Sequence, residues 1–309
     1  MNAITLTNIT KKYGDHTAVD NISFSVKQGS FTGFLGVNGA GKSTSINMMS
    51  TLLEQDSGTI EICGADTKKD SKTVREKIGI VYQNNILDEL LTVKENLLCR
   101  GMLHCKGSAK KQALDRLSEL EEIFSLKEIL GKKYRTLSGG QKRRCEIAAA
   151  LMHTPEILIL DEPTTGLDPS ARQEVWSIIE KLRRETRMTV FLTTHYMEEA
   201  AEADDIIIIS KGRIIARGLP HELKEKYAAD HLKIYCNDSQ KQKLLKAFDQ
   251  SVAKYTEESY GLKITLASTK QALPLLDILD KAGNDFEGFE VIQGTMDDVF
   301  LNATREDIR

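Results

Sequence analysis

The run GVNGAGKST, residues 36–44, concentrates more phosphate chemistry than any other stretch of this 309-residue chain. From Gly36 to Ser43 it fits the spacing G-x-x-x-x-G-K-[ST]. Glycines at these positions let the backbone curl until its N–H groups surround phosphate oxygens. A helix opening at the end of the run adds the positive end of its dipole to the same anion. Asn38, Gly39, Ala40 and Gly41 form the curl, and Thr44 continues into the helix. Lys42 is placed to bridge the outer phosphates, and Ser43 to ligate Mg²⁺. The expected ligand is a nucleoside triphosphate with its magnesium ion.

Acid groups come later, in ILILDEP at 157–163. An apolar strand ending in Asp161 delivers a carboxylate to the metal side of the phosphates. Glu162 follows at once, where it can polarise an attacking water. His195, after the run VFLTT, is a further candidate for contact with the γ-phosphate. A second glycine-bearing helix start lies in LSGGQKRR at 137–144. Ser138 and Gln141 have the spacing of a capping box. Gly139 and Gly140 cost a helix roughly 1 kcal/mol each against alanine, so a cap alone does not account for them. They allow an anion to approach bare backbone N–H groups, and a second chain could bring this start to the ligand of the first loop. Lys142, Arg143 and Arg144 read as a solvated helix face, without the interleaved aromatics of a nucleic-acid site.

These residues need strands to deliver them and helices to back them. Alternating β-branched and polar residues in AITLTNITKKY and AVDNISFSVKQGS read as two strands, and SFTGFLG leads into the glycine loop. KSTSINMMSTLL is expected to continue as one helix. The short apolar runs KIGIVYQ, EILILDEP, MTVFLTTH and DDIIIISKG suit parallel strands buried on both faces. Between about Thr92 and Met152 the apolar spacing is helical. The tail reads β-α-β-β-α-β, the split βαβ order, followed by a short helix, MDDVFLNAT, that docks Val299, Phe300 and Leu301 on a core. The expected architecture is therefore an α/β cassette over residues 1–224, with an antiparallel β layer and a helical subdomain at about 84–152. A small ferredoxin-like α+β domain occupies 225–309.

A net charge of −3 gives no general attraction to nucleic acid or acidic lipid. The N-terminal run has no apolar signal core, and the apolar runs fall short of the ~18 residues of a membrane span. Five scattered cysteines form no C-x-x-C pair; Cys99, His104 and Cys105 lack the spacing and fourth ligand of a zinc site, and free thiols are the expectation.

LSGGQ, together with GVNGAGKST and ILILDEP, resembles the ATP-binding cassettes of ABC transporters over residues 3–220 or so. The resemblance implies an ATPase with ATP and Mg²⁺ as cofactors, working as a head-to-tail dimer. Each ATP would lie between one subunit's glycine loop and the Ser138–Gln141 start of the other. It further implies that Tyr13 in KKYGD stacks on adenine and that Gln83 in VYQ senses Mg²⁺ and the membrane partner. Asp168 in GLDP would cross the dimer interface, with Glu162 as catalytic carboxylate and His195 as switch histidine. Val37 departs from the family's usual proline, which puts only loop rigidity in doubt. MDDVFLNATRED resembles the C-terminal segment of bacterial drug- and polyketide-export cassettes. The implied protein powers an exporter of drug, antibiotic or lipid-like substrates through a separate integral-membrane permease. It would sit in the cytoplasm, peripheral on the inner face of the cell membrane, with no nucleic-acid partner. The alternatives are an importer cassette, or a non-transport ATPase acting on nucleic acid or the ribosome.

Overall fold

The structure is a computed structural model that describes residues 1–104, 109–248, 254–281 and 286–306. The chain divides into two compact units, Met1–Gly218 and Leu219–Arg309.

In the first unit, β1 (Asn2–Tyr13) and β2 (His16–Lys27) pair antiparallel. Period-2 alternation turns Ile4 and Leu6 of β1 and Ile22, Phe24 and Val26 of β2 inward, and register breaks beside Asn8 and Asn21, both with φ near 50°, bring Ile9 and Val19 to the same face. β3 (Phe31–Leu35) leads to α1 (Lys42–Met49), and β4 (Ser57–Ile62) and β5 (Ala65–Asp66) follow. One sheet has the order β2-β1-β4-β5. Then come α2 (Ser71–Lys77), β6 (Ile78–Val81) and the helices α3 (Val93–His104), α4 (Ala109–Ile123) and α5 (Gly139–Ala150). β7 (Ile157–Asp161), α6 (Pro169–Thr186), β8 (Thr189–Thr194), β9 (Asp205–Ser210) and β10 (Arg213–Gly218) complete the unit.

The second sheet has the order β10-β9-β3-β8-β7-β6. It is parallel from β9 to β6, with β10 added antiparallel at one edge. Every residue of β3, β7 and β8 is buried, which is why these strands read as continuous apolar runs. Phe24 of the antiparallel layer meets Phe34 of β3 at 5.6 Å between ring centres, and Phe34 meets Phe191 of β8 at 5.5 Å. That aromatic cluster holds the two sheets together. Because β3, β8 and β7 are neighbours, the residues after their carboxyl ends gather at one edge, where α/β sheets bind ligands. Those residues are the glycine loop, His195 and Glu162.

Two local expectations are corrected. The helix after the glycine loop stops at Met49 rather than running on through Leu53. Thr51 takes a left-handed φ of 63°, and the amides of Leu52 and Leu53 both turn back to the carbonyl of Asn47. The basic run of α5 is not a solvated face: Arg143 is only 4% exposed.

The second unit begins with α7 (Pro220–Tyr227), so the contacts divide the chain after Gly218 rather than after residue 224. β11 (Asp230–Tyr235), α8 (Asp238–Phe248), β12 (Tyr255–Glu258), β13 (Gly261–Leu266), α9 (Ala272–Lys281), β14 (Gly288–Ile292) and α10 (Met296–Glu306) follow. The antiparallel sheet order β12-β13-β11-β14 is that of a split βαβ domain. Leu232, Ile234, Leu244, Phe248, Leu262, Ile264, Leu275 and Leu279 form its own core. α10 packs on α7, and the Asn302 side-chain amide donates to the carbonyl of Tyr227 at 2.7 Å. Met296, Val299, Phe300 and Ala303 are buried, the i, i+3, i+4, i+7 stripe of a docked helix. Leu301, expected in that stripe, points away and is 52% exposed. No helix among the described residues is long and apolar enough to cross a membrane. Cys105 lies outside the described residues. Burial pushes the Cys63 thiol up to about 11 and the Cys145 thiol to about 12, so both are held protonated.

Candidate nucleotide site

The glycine loop leaves the buried end of β3 and turns into α1 at Gly41. Gly41 has φ 109°, and a Cβ there would lie 2.6 Å from the carbonyl oxygen of Ala18, so only glycine fits. Ser45 locks the turn by donating both its amide, at 3.0 Å, and its hydroxyl, at 2.9 Å, to the Gly41 carbonyl. Lys42 is 5% exposed and folds back over the loop. Its ammonium donates to the carbonyls of Gly36 at 2.7 Å and Val37 at 3.3 Å, and lies 3.3 Å from a carboxylate oxygen of Glu162. Val37 is exposed, and its carbonyl closes the loop by accepting from the Ala40 amide.

Two successive carboxylates close β7. Asp161 accepts from the Thr193 hydroxyl at 2.6 Å and is hydrogen-bonded by Ser43. Burial pushes its carboxyl above the usual range, against the pull of these donors and of Lys42. Glu162 adopts φ 47°, the left-handed region that a glutamate rarely occupies, held there by its amide bonding the Thr193 carbonyl at 2.9 Å. One carboxylate oxygen of Glu162 receives Gln83 Nε2 at 3.3 Å, the Thr165 hydroxyl at 3.2 Å and His195 Nδ1 at 3.0 Å. The carboxylate partner assigns the His195 proton to Nδ1, which donates to Glu162. Lys42, Ser43, Gln83, Asp161, Glu162 and His195 thus form one cluster.

Tyr13, Ser138–Gln141 and Asp168 are not joined to that cluster by a hydrogen bond or ion pair among the described residues. Tyr13 stands half exposed at the end of β1, with Lys11 near its ring. Ser138 caps α5 with the full capping box: its hydroxyl accepts from the Gln141 amide at 3.3 Å, and its own amide donates to Gln141 Oε1 at 3.1 Å. A Cβ at Gly139 would approach Leu167 to 3.2 Å, and one at Gly140 would meet the Ala171 Cβ at 2.9 Å. The two glycines therefore also admit the start of α6 against α5, a reason invisible in the motif alone. Asp168 caps α6, accepting from the Ala171 amide at 2.9 Å.

Five residues around the cluster escape a motif reading. Thr193 and Thr165 hold the two acids. Glu199 accepts from the hydroxyls of Thr164 and Thr194, tying the strand ends that carry Glu162 and His195. Tyr196 packs on His195 at 4.1 Å between ring centres with the rings tilted by 38°, and Arg172 covers Tyr196 at 4.3 Å.

Comparison with known proteins gives the same picture over a wider span. The family model described as ABC transporter matches residues 19–165, and that described as ATP-binding protein DrrA1-3-like, C-terminal domain, matches residues 218–304. The daunorubicin resistance ATP-binding protein DrrA3 of Streptomyces coeruleorubidus is 38% identical over 99% of this chain and 97% of its own length. The linearmycin resistance ATP-binding protein LnrL of Bacillus subtilis is 46% identical over 72% of this chain and 71% of its own. Among solved structures, the dimeric post-hydrolysis state of the ATP-binding cassette MJ0796 bound to ADP and Pi superposes with a TM-score of 0.63. Its identity is 30%, over 70% of this chain and 98% of that one. With the glycine loop, the paired acids and this breadth of likeness together, the chain belongs to the ATP-binding cassette family of ABC transporters, as an ATP-binding and ATP-hydrolysing subunit.

Proposed function

We propose that two copies of the chain close head to tail on two ATP molecules and drive a separate permease that exports a drug, antibiotic or lipid-like substrate. The single observation that carries the chemistry is Glu162, held in a strained backbone conformation between Lys42, Gln83, Thr165 and His195. A carboxylate so placed orients a water and accepts its proton during attack on the γ-phosphate. Lys42 then exchanges Glu162 for the phosphate oxygens and stabilises their developing charge. Asp161, Ser43 and Gln83 offer hard oxygen donors around one buried carboxylate, a set that fits Mg²⁺. When bound there, the ion would neutralise charge on the phosphates. Gly36–Thr44 hold the phosphates, and the exposed ring of Tyr13 is suited to stack on adenine. The capped start Ser138–Gln141 and the Asp168 loop serve the nucleotide of the other copy. The dimeric cassettes among the solved structures support this arrangement.

The direction and substrate class rest on relatives named for daunorubicin and linearmycin resistance and for Nod factor export. A groove beside Gln83, lined by Tyr82, Ile86, Arg75, Arg100 and His153, is where we place the permease. Leu52 and Ile86 expose apolar surface in it, the usual mark of a partner. The subunit would work on the cytoplasmic face of the membrane, with residues 219–309 as an accessory module to the cassette. Mixing two inactive variants tests the shared site. Lys42→Ala abolishes tight ATP binding in its own loop, and Ser138→Arg blocks the opposing start. A mixed dimer retains one intact composite site, so activity returns in the mixture. A mixture that exchanges subunits and stays inactive overturns sharing across chains.

A further inference from the structure

α5 carries two buried charges that make no hydrogen bond to the side chains of the nucleotide cluster. Arg143 is 4% exposed and Glu146 3%. Both face the loop that follows β6 and carries Gln83. The Arg143 guanidinium donates to the Tyr82 carbonyl at 2.7 Å and the Gln83 carbonyl at 3.0 Å. One oxygen of Glu146 accepts from the Ile86 amide at 2.8 Å, the Leu87 amide at 3.1 Å and the Tyr134 hydroxyl at 2.7 Å. Burial pulls the Arg143 pKa down and Glu146, three residues on, pulls it back up, so the two charges compensate each other. The planar guanidinium fork meets two successive carbonyls, a match a lysine does not reproduce.

The loop has no ladder of its own; Asn96, Tyr134 and Arg135 hold its far part at Asp88, Leu91 and Glu89, and the bonds from Arg143 and Glu146 hold the part nearest Gln83. We propose that Arg143 and Glu146 are positioning residues that fix the Gln83 loop to α5, and so hold the Gln83 side chain against Glu162. The proposal rests on the reading of Gln83 and Glu162 given above. It makes the helix that starts with LSGGQ the support for the glutamine of the same chain's own site.

A double-mutant cycle on the full chain tests it. Steady-state ATPase rates are measured for Gln83→Ala, Glu146→Gln and the double variant, normalised to nucleotide-binding sites counted by titration. Gln83→Ala is expected to lower kcat on the order of tenfold. Glu146→Gln is expected to lower it by about three- to tenfold, with KM for ATP within about twofold, because the glycine loop is untouched. In the Gln83→Ala background, Glu146→Gln should then cost nothing further. Equal losses in both backgrounds would mean that Glu146 supports only the fold, and would overturn the proposal. A Gln83→Ala enzyme with unchanged kcat would instead overturn the site reading, and the proposal with it. Should Glu146→Gln fail to fold, Tyr134→Phe removes one bond to Glu146 and keeps both charges, and the same cycle applies. In the unaltered protein, the amides of Ile86 and Leu87 should be protected from hydrogen exchange; free exchange at both would also overturn the proposal.

Discussion

Replacing Glu162 by glutamine removes the carboxylate in ion-pair contact with Lys42 and preserves the side-chain shape. The Lys42 ammonium lies 3.3 Å from Glu162, both side chains nearly shielded from water. At an effective dielectric of ~20 the Coulomb attraction at that separation is about 5 kcal/mol. Desolvation of the two charges offsets much of it. Lys42 also keeps its bonds to the Gly36 and Val37 carbonyls, so the net cost to the nucleotide-free protein is about 1–3 kcal/mol. For a unit of this size that lowers Tm by roughly 2–4 °C per kcal/mol. The phosphates of ATP then restore a counter-charge that no longer competes with Glu162. The variant should therefore bind ATP at least as tightly as the unaltered protein, and gain more in Tm on adding it. Loss of the general base lowers kcat by about 10²–10⁴. Thermal unfolding with and without ATP, set beside phosphate release, reads all three effects, and closed dimers should accumulate. Unchanged turnover would remove Glu162 from its role. An equal Tm without nucleotide and an equal ATP shift would refute the Lys42–Glu162 competition.

Gly41→Ala places a Cβ against the Ala18 carbonyl at a φ of 109°, and should cost about 2 kcal/mol or more and abolish ATP binding, as read by denaturant unfolding and nucleotide titration. Asp161→Asn separates stability from activity. Burial holds the folded-state pKa of Asp161 above its unfolded value, so its contribution to stability is present at low pH and is lost as pH rises through the folded pKa. Asparagine still accepts from Thr193, so near neutral pH the nucleotide-free variant should melt slightly higher than the unaltered protein while losing Mg²⁺-dependent hydrolysis. A lower melting point at neutral pH, equal to that at pH 4, would contradict the burial argument.

The residues proposed to contact phosphate are legible in the sequence because the chemistry is local. A loop that wraps an anion must contain glycines, a lysine and a hydroxyl at fixed offsets, and a buried parallel strand must be apolar throughout. The split βαβ tail was readable for the same reason, from alternation and helical period. The basic run suggests a solvated Arg143, because adjacent basic residues normally share water. Its neighbours state the opposite: Ile147 lies four residues on and Glu146 three, so Arg143 sits on the inward stripe of α5. The packing role of Gly139 and Gly140 is not visible in the motif, because Leu167 and Ala171 approach them only after the chain has folded.

By itself the sequence determined the ligand class, the strands buried on both faces and the acids at the end of β7, since each depends on residues a few positions apart. Only the tertiary structure decided which acid pairs with Lys42, where Gln83 and His195 converge, and what supports them. Those contacts join residues up to about 120 positions apart through the neighbouring order of β3, β8 and β7. Sheet order is set by the packing of the whole core, which no local pattern encodes.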